Sequence, residues 1–325
     1  MRLIGLAVVL SVGLALAPLA AEAQQAGKVY RIGYLSLRHG PGPFEEVFRQ
    51  ALRELGWIEG RNVAFEYRWA AGQLDRLPAL AEGLVRSNVD LIVTSTTLVA
   101  RAAKNATKTI PIVMAVAADA VENGVVASLA RPGGNVTGLS EPYAPIHTKL
   151  LGLLHETLPE VTRVAFLGDT TSGTLRRTRD ALQAAAPSLA LTIRFFERRN
   201  PVAFESALQA VARERVGALI VMAAAYDVNG PRIAEVAAQA RLRVFSLSDI
   251  AVERHFGLLA YGSDWLDMYR RAATYVDKIL KGAQPADLPV QQPVKFNLTV
   301  NLKTAKQLGI TIPPVVLLQA TKVIE

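Results

Sequence analysis

Short apolar, β-branched segments alternate with longer segments of helical periodicity along this chain, and they do so in two consecutive runs. That rhythm means βαβ units: parallel strands with helices on both faces of the sheet, joined by right-handed connections. In the first run, strands are expected at 29–36, 62–69, 90–94 and 110–116, with helices at 44–55, 74–85 and 98–105. In the second, strands are expected at 163–168, 189–196, 216–222 and 243–246, with helices at 147–158, 174–186, 202–213 and 233–240. In the second run strand starts recur about every 26 to 28 residues, and each run reads as one doubly wound α/β lobe.

Between the runs lies 109–140, TIPIVMAVAADAVENGVVASLARPGGNVTGLS, which holds an acidic turn at Asp119, a helix-like segment and then Arg131-Pro132-Gly133-Gly134. Proline cannot continue a helix and glycine turns without strain, so Gly133 and Gly134 are expected to hinge the two lobes. The end of the chain breaks the rhythm. A strand at 257–261 meets a second expected crossing at Gly262-Ser263, an amphipathic helix covers 264–280, and a proline-rich tail follows with a strand at 295–300 and a helix at 302–308. The expected division is 28–140 plus about 264–295 in one lobe, and 141–263 plus about 296–325 in the other.

Arg2, the uncharged run 3–21 and the close Ala21-Glu22-Ala23 have the layout of an export signal at 1–23. The run is almost long enough to span a bilayer, but Gly13 and Pro18 interrupt it and a cleavage pattern closes it, which favours removal. The chain has no cysteine, which excludes disulfides, thiolate metal sites, a cysteine nucleophile and a lipid-attachment cysteine. The expectation is a periplasmic protein without a membrane anchor. The formal charge of +8 invites a nucleic-acid reading, yet basic residues such as Arg176, Arg177, Arg213 and Arg232 are scattered along helices with no aromatic-basic motif. A solvated basic surface and no nucleic-acid partner are expected.

None of the glycine, serine or histidine motifs of nucleotide-binding, hydrolase or metalloprotease sites occurs. His39-Gly40-Pro41-Gly42-Pro43 has prolines where a phosphate cradle needs N–H donors, and the four histidines do not cluster. No catalytic residue, metal site or cofactor is expected. Polar residues do recur at the carboxyl ends of the strands, where open α/β sheets bind ligands. These are Ser36, Ser95 and Thr96, Ala117 to Asp119, Asp169 and Thr170, Tyr226, and Asp249. Ser95 and Thr96 open a helix whose N–H groups suit a carboxylate, Asp119, Asp169 or Asp249 suit an ammonium group, and Tyr226 or Tyr261 suit an apolar cover. Each residue type is also an ordinary helix cap, so the recurrence carries more weight than any one position.

The stretches RIGYLS, LRELGWIEGRNVAFEYRWAAGQLDRLPALAEGLV, SLARPGGNVTGLS, YRRAATYVDKILKGAQPADLPVQQP and NLKTAKQLGITIP resemble, in the same order, ABC-transporter substrate-binding proteins of the type that includes tryptophan- and tyrosine-binding receptors. The resemblance implies a type I periplasmic-binding-protein fold: two lobes, three crossings, and a small molecule in the cleft delivered to a permease and an ATPase. An aromatic or branched amino acid is the leading expectation. A ligand-sensing module for a membrane receptor is the alternative. Where that family usually has Asp-Pro after the fourth strand, this chain has Asp119-Ala120, so the implied cleft is altered there.

Overall fold

The computed structural model describes residues 28–325 apart from 170–172, 199–200 and 255; the expected export signal lies outside the described residues. Two sheets organise the chain. The first contains β1 (Tyr30–Ser36), β2 (Val63–Trp69), β3 (Leu91–Thr94), β4 (Ile112–Ala118) and β5 (Val136–Glu141), in the order β2-β1-β3-β4-β5, all parallel. The helices that alternate with them are α1 (Pro43–Glu54), α2 (Leu77–Arg86) and α3 (Thr97–Ala106). β3 and β5 are buried along their whole length, as strands covered on both faces are, even though β5 carries Thr137, Ser140 and Glu141.

The second sheet runs β12-β11-β10-β9-β8-β6-β7. After α4 (Tyr143–Thr157) come β6 (Arg163–Asp169), α5 (Gly173–Ala185), β7 (Thr192–Arg198), α6 (Pro201–Arg213), β8 (Ala218–Val221), α7 (Ala223–Gln239), β9 (Arg243–Ser246), α8 (Asp249–Arg254) and β10 (Leu259–Ser263). The chain continues through α9 (Trp265–Leu280), β11 (Phe296–Asn301), α10 (Leu302–Leu308), α11 (Pro314–Gln319) and β12 (Lys322–Ile324). One pair, β10 with β11, is antiparallel, because β11 returns from the other lobe. Each sheet divides two apolar cores. Phe48, Tyr269 and Val276 pack on one face of the first sheet, and Leu84, Val99 and Ala103 on the other. Leu150, Phe166 and Val316 fill one face of the second sheet, and Phe204, Leu208 and Ile233 the other. The result is a pair of α/β sandwiches in a type I periplasmic-binding-protein fold.

The expected hinge at Gly133 and Gly134 is corrected. These residues lie between β4 and β5, which are neighbours in one sheet, so no lobe boundary falls there. The segment before them is a set of turns rather than a helix, closed where Ala127 N–H donates to the Pro132 carbonyl at 3.0 Å. The chain first leaves the first sheet at Glu141-Pro142, where β5 runs straight into α4. It returns at Ser263-Asp264 and leaves again just before Phe296, and these two passages touch, Asp264 N–H donating to the Lys295 carbonyl at 2.9 Å. Gly262 does sit at a passage, but its role is space: a Cβ there would lie 2.1 Å from the Leu247 carbonyl oxygen.

Candidate functional site

The carboxyl ends of the first sheet's strands carry the polar atoms that matter. At β1, Ser36 is fully buried and its Oγ accepts from Arg38 N–H at 3.2 Å, closing its own turn. At β3, Thr96 caps α3 by accepting from Val99 N–H at 3.4 Å. Thr97 ties that helix to β4, accepting from Ala118 N–H at 2.7 Å and donating to the Ala118 carbonyl at 3.1 Å. Ser95, nearly sealed between them, has no hydrogen-bond partner for its Oγ among the described residues.

β4 ends differently. Its register shifts between Met114 and Ala117, and beyond the fully buried Ala117 the backbone of Asp119 is left-handed, with φ of 44°. Asp119 N–H donates to the Glu141 carbonyl at 3.0 Å, and Asp119 Oδ1 accepts from Tyr143 N–H at 3.3 Å, so this aspartate fastens the first passage between lobes. Its Oδ2 is buried without a partner among the described residues, and burial raises its pKa.

Glu141 was not singled out by its sequence. It ends β5, is only 2% exposed, and its Oε2 accepts from the Trp265 indole N–H at 3.2 Å. Oε1 has no well-formed hydrogen bond among the described residues, and burial pushes the carboxyl up to about 7. The signal existed: a carboxylate directly follows the short run VTGLS, in which Val136 and Leu139 are apolar.

An aromatic wall adjoins these carboxylates. The Trp265 ring meets Phe44 at 5.7 Å, Phe44 stacks on Tyr269 at 5.2 Å, and the Arg38 guanidinium lies 5.2 Å over the Phe44 ring. Arg38 Nη1 is 3.6 Å from Glu45 Oε2, too far to hydrogen-bond, while Glu45 is held by Tyr34 O–H at 3.0 Å and Gly42 N–H at 2.8 Å. From the second lobe, Ser248 and Asp249 join Phe44 and Trp265 in lining a recess. Asp249 Oδ2 accepts from Asn297 Nδ2 at 3.4 Å, and burial raises its pKa. Tyr261 is turned to its own sheet, stacked on Phe296 at 6.1 Å and 12°. Thr170 and the side chains of Asp169 and Tyr226 lie outside the described residues.

The lobes touch past Asp119. Asn123 Nδ2 donates to Thr174 Oγ1 at 2.7 Å, and Glu122 pairs with Arg177 on the same helix of the second lobe. Among the described residues no cluster of three or more histidine, aspartate or glutamate side chains is placed to hold a metal ion, and no helix is long and apolar enough to cross a membrane. What the geometry offers is recognition: buried acceptors beside aromatic rings, between lobes in contact.

Known proteins share this architecture. A tyrosine-binding protein of Clostridioides difficile (strain R20291) is 26% identical over 265 residues, 80% of this chain and 75% of that protein. The crystal structure of an ABC domain from Streptococcus pneumonia in complex with L-Trp superposes with a TM-score of 0.84 at 25% identity, covering 91% of this chain and all of that one. A conserved domain protein from Vibrio cholerae O1 biovar El Tor superposes with a TM-score of 0.83 at 29% identity over the same shares. The family model described as ABC transporter substrate binding protein matches residues 44–324, and the chain therefore belongs to that family of solute-binding proteins, which are not enzymes.

Proposed function

We propose that this chain is the exported receptor of an ABC importer, and that it encloses a small amino acid-like solute between its lobes and presents the closed form to a permease and its ATPase. One observation carries the reading. Ser95 Oγ, Asp119 Oδ2 and Glu141 Oε1 are buried oxygens that make no well-formed hydrogen bond among the described residues, at the ends of β3, β4 and β5. Buried polar atoms are normally paired, and a site that leaves several unpaired beside a lobe boundary is built for a guest. Phe44 and Trp265 supply apolar cover, in keeping with an aromatic or branched side chain, and the relatives named for tyrosine and L-Trp point the same way.

A solute drives closure only by binding the closed arrangement more tightly than the open one. The purified mature protein is therefore expected to show a higher Tm and a smaller radius of gyration with its solute. Thermal-shift and small-angle scattering measurements across the protein amino acids check both, beginning with tryptophan and tyrosine. A panel that moves neither quantity overturns the reading. The residues 1–23 are the export signal in this proposal, and N-terminal sequencing of the protein recovered from the periplasm should begin after Ala23.

A further inference from the structure

Glu141 stands between the two ways of neutralising a buried carboxylate. It is 98% removed from solvent, since its exposure is 2%, and it sits where β5 leaves the first lobe. Asp119 faces it from the end of β4, while Tyr143 from α4 and Ser263 and Trp265 from the second passage bring hydrogen-bond donors to it; Thr174, Glu122 and Arg177 in turn act on Asp119. Neither Glu141 nor Asp119 has an ion-pair partner among the described residues. A carboxylate pair without a cation in so dry a place is costly even when hydrogen-bonded, and the cost is avoided either by taking up a proton or by receiving a cation. Ser95 Oγ, without a well-formed hydrogen bond at the end of β3 on the other side of β4, adds a third acceptor next to Asp119's strand. A primary ammonium group has three N–H donors and matches that set.

We infer that Glu141, with Asp119 and Ser95, receives the amino group of the solute, and that Glu141 gives up a proton as the ammonium arrives. The inference deepens the receptor reading above and rests on it. Protons balance: the Glu141 O–H breaks, its proton passes to water or buffer, and an N–H···O bond from the solute's already protonated amine takes its place. The raised value of the empty Glu141, about 7, supports this order of events.

The test is calorimetric titration of the purified mature protein with L-tryptophan and L-tyrosine, each against its deaminated 3-arylpropionate, in buffers of different ionisation enthalpy from pH 5 to 8. Wild type is expected to bind the amino acid, to reject the deaminated acid by about a hundredfold, and to release close to one proton per solute at pH 6. Its affinity should weaken about tenfold per pH unit below 7 and level off above it. Glu141→Gln, which keeps the size and the acceptor for Trp265, should lose at least tenfold in affinity at pH 8 and release no proton. Proton release by wild type is read independently of the variant, so a poorly folded variant does not leave the matter open. Equal binding of the deaminated acids, a flat pH profile without proton release, or an E141Q affinity equal to wild type overturns the inference and leaves the receptor reading standing. Binding of no solute in the panel overturns both.

Discussion

Two buried titratable side chains on either side of the first passage set opposite pH dependences on stability. Glu141 is raised by burial from an ordinary 4.5 to about 7, so the folded state favours its protonated form. Its contribution is complete below pH 4.5 and is lost as pH rises through 7, an effect on the order of 3 kcal/mol. His147, fully buried in α4, is lowered by burial from 6.5 to about 4, so the folded state favours its neutral form. Its contribution is present above 6.5 and is lost as pH falls towards 4. The expected outcome for solute-free protein is that Glu141→Gln raises Tm at pH 8 by several degrees and leaves the acid limb in place, whereas His147→Asn flattens the acid limb; a series of melting curves from pH 4 to 8 checks both. Gly138 tests packing rather than charge. Its φ is 124°, and a Cβ there would lie 2.2 Å from the Met114 carbonyl oxygen. Gly138→Ala must push β5 off β4, at a cost of about 3 kcal/mol or more, measurable by denaturant unfolding.

Among the elements, the strands and helices that bury one consistent face were legible from periodicity alone. The order β2-β1-β3-β4-β5 follows from βαβ units wound in both directions, and the hydroxyl cap of α3 was readable as Ser95-Thr96-Thr97. That cap carries its own prediction: Thr96→Ala removes the acceptor for Val99 N–H and should lower stability by ~1 kcal/mol without changing secondary structure content, by circular dichroism and urea titration. What could not be read depended on pairing across the chain. Pro132-Gly133-Gly134 has the composition of a joint, yet a turn within one sheet needs the same residues, and only the pairing of β5 with β4 decides between them. α8, α11 and β12 are too short to carry a period, and the antiparallel entry of β11 is a consequence of the lobes' arrangement rather than of any local residue. The site shows the same division. Thr96 and Asp119 announce themselves as polar strand ends, while Glu141, Phe44 and Trp265 come together only because α9 returns to pack on α1 and β4.

For the whole molecule, the question is what holds the lobes against each other, and two contacts compete for the answer. Glu122 and Arg177 form an ion pair, but both side chains are more than a third exposed, so water and salt screen it and its contribution is small. Asn123 and Thr174 meet through a hydrogen bond of 2.7 Å, with Thr174 only 2% exposed, and a bond sheltered from water keeps more of its strength. Thr174→Val preserves the shape and deletes the hydroxyl. It should cost the closed form about 1 kcal/mol, a shift of roughly fivefold in the balance between closed and open. Because the solute binds the closed form, its Kd should weaken by up to that factor, and the solute-free radius of gyration should rise only as far as the open fraction grows, while that of the saturated protein stays unchanged. Glu122→Gln should move neither quantity appreciably. Scattering and titration on both variants decide the ranking: if Glu122→Gln opens the protein and Thr174→Val does not, surface charge rather than the sheltered hydroxyl governs closure.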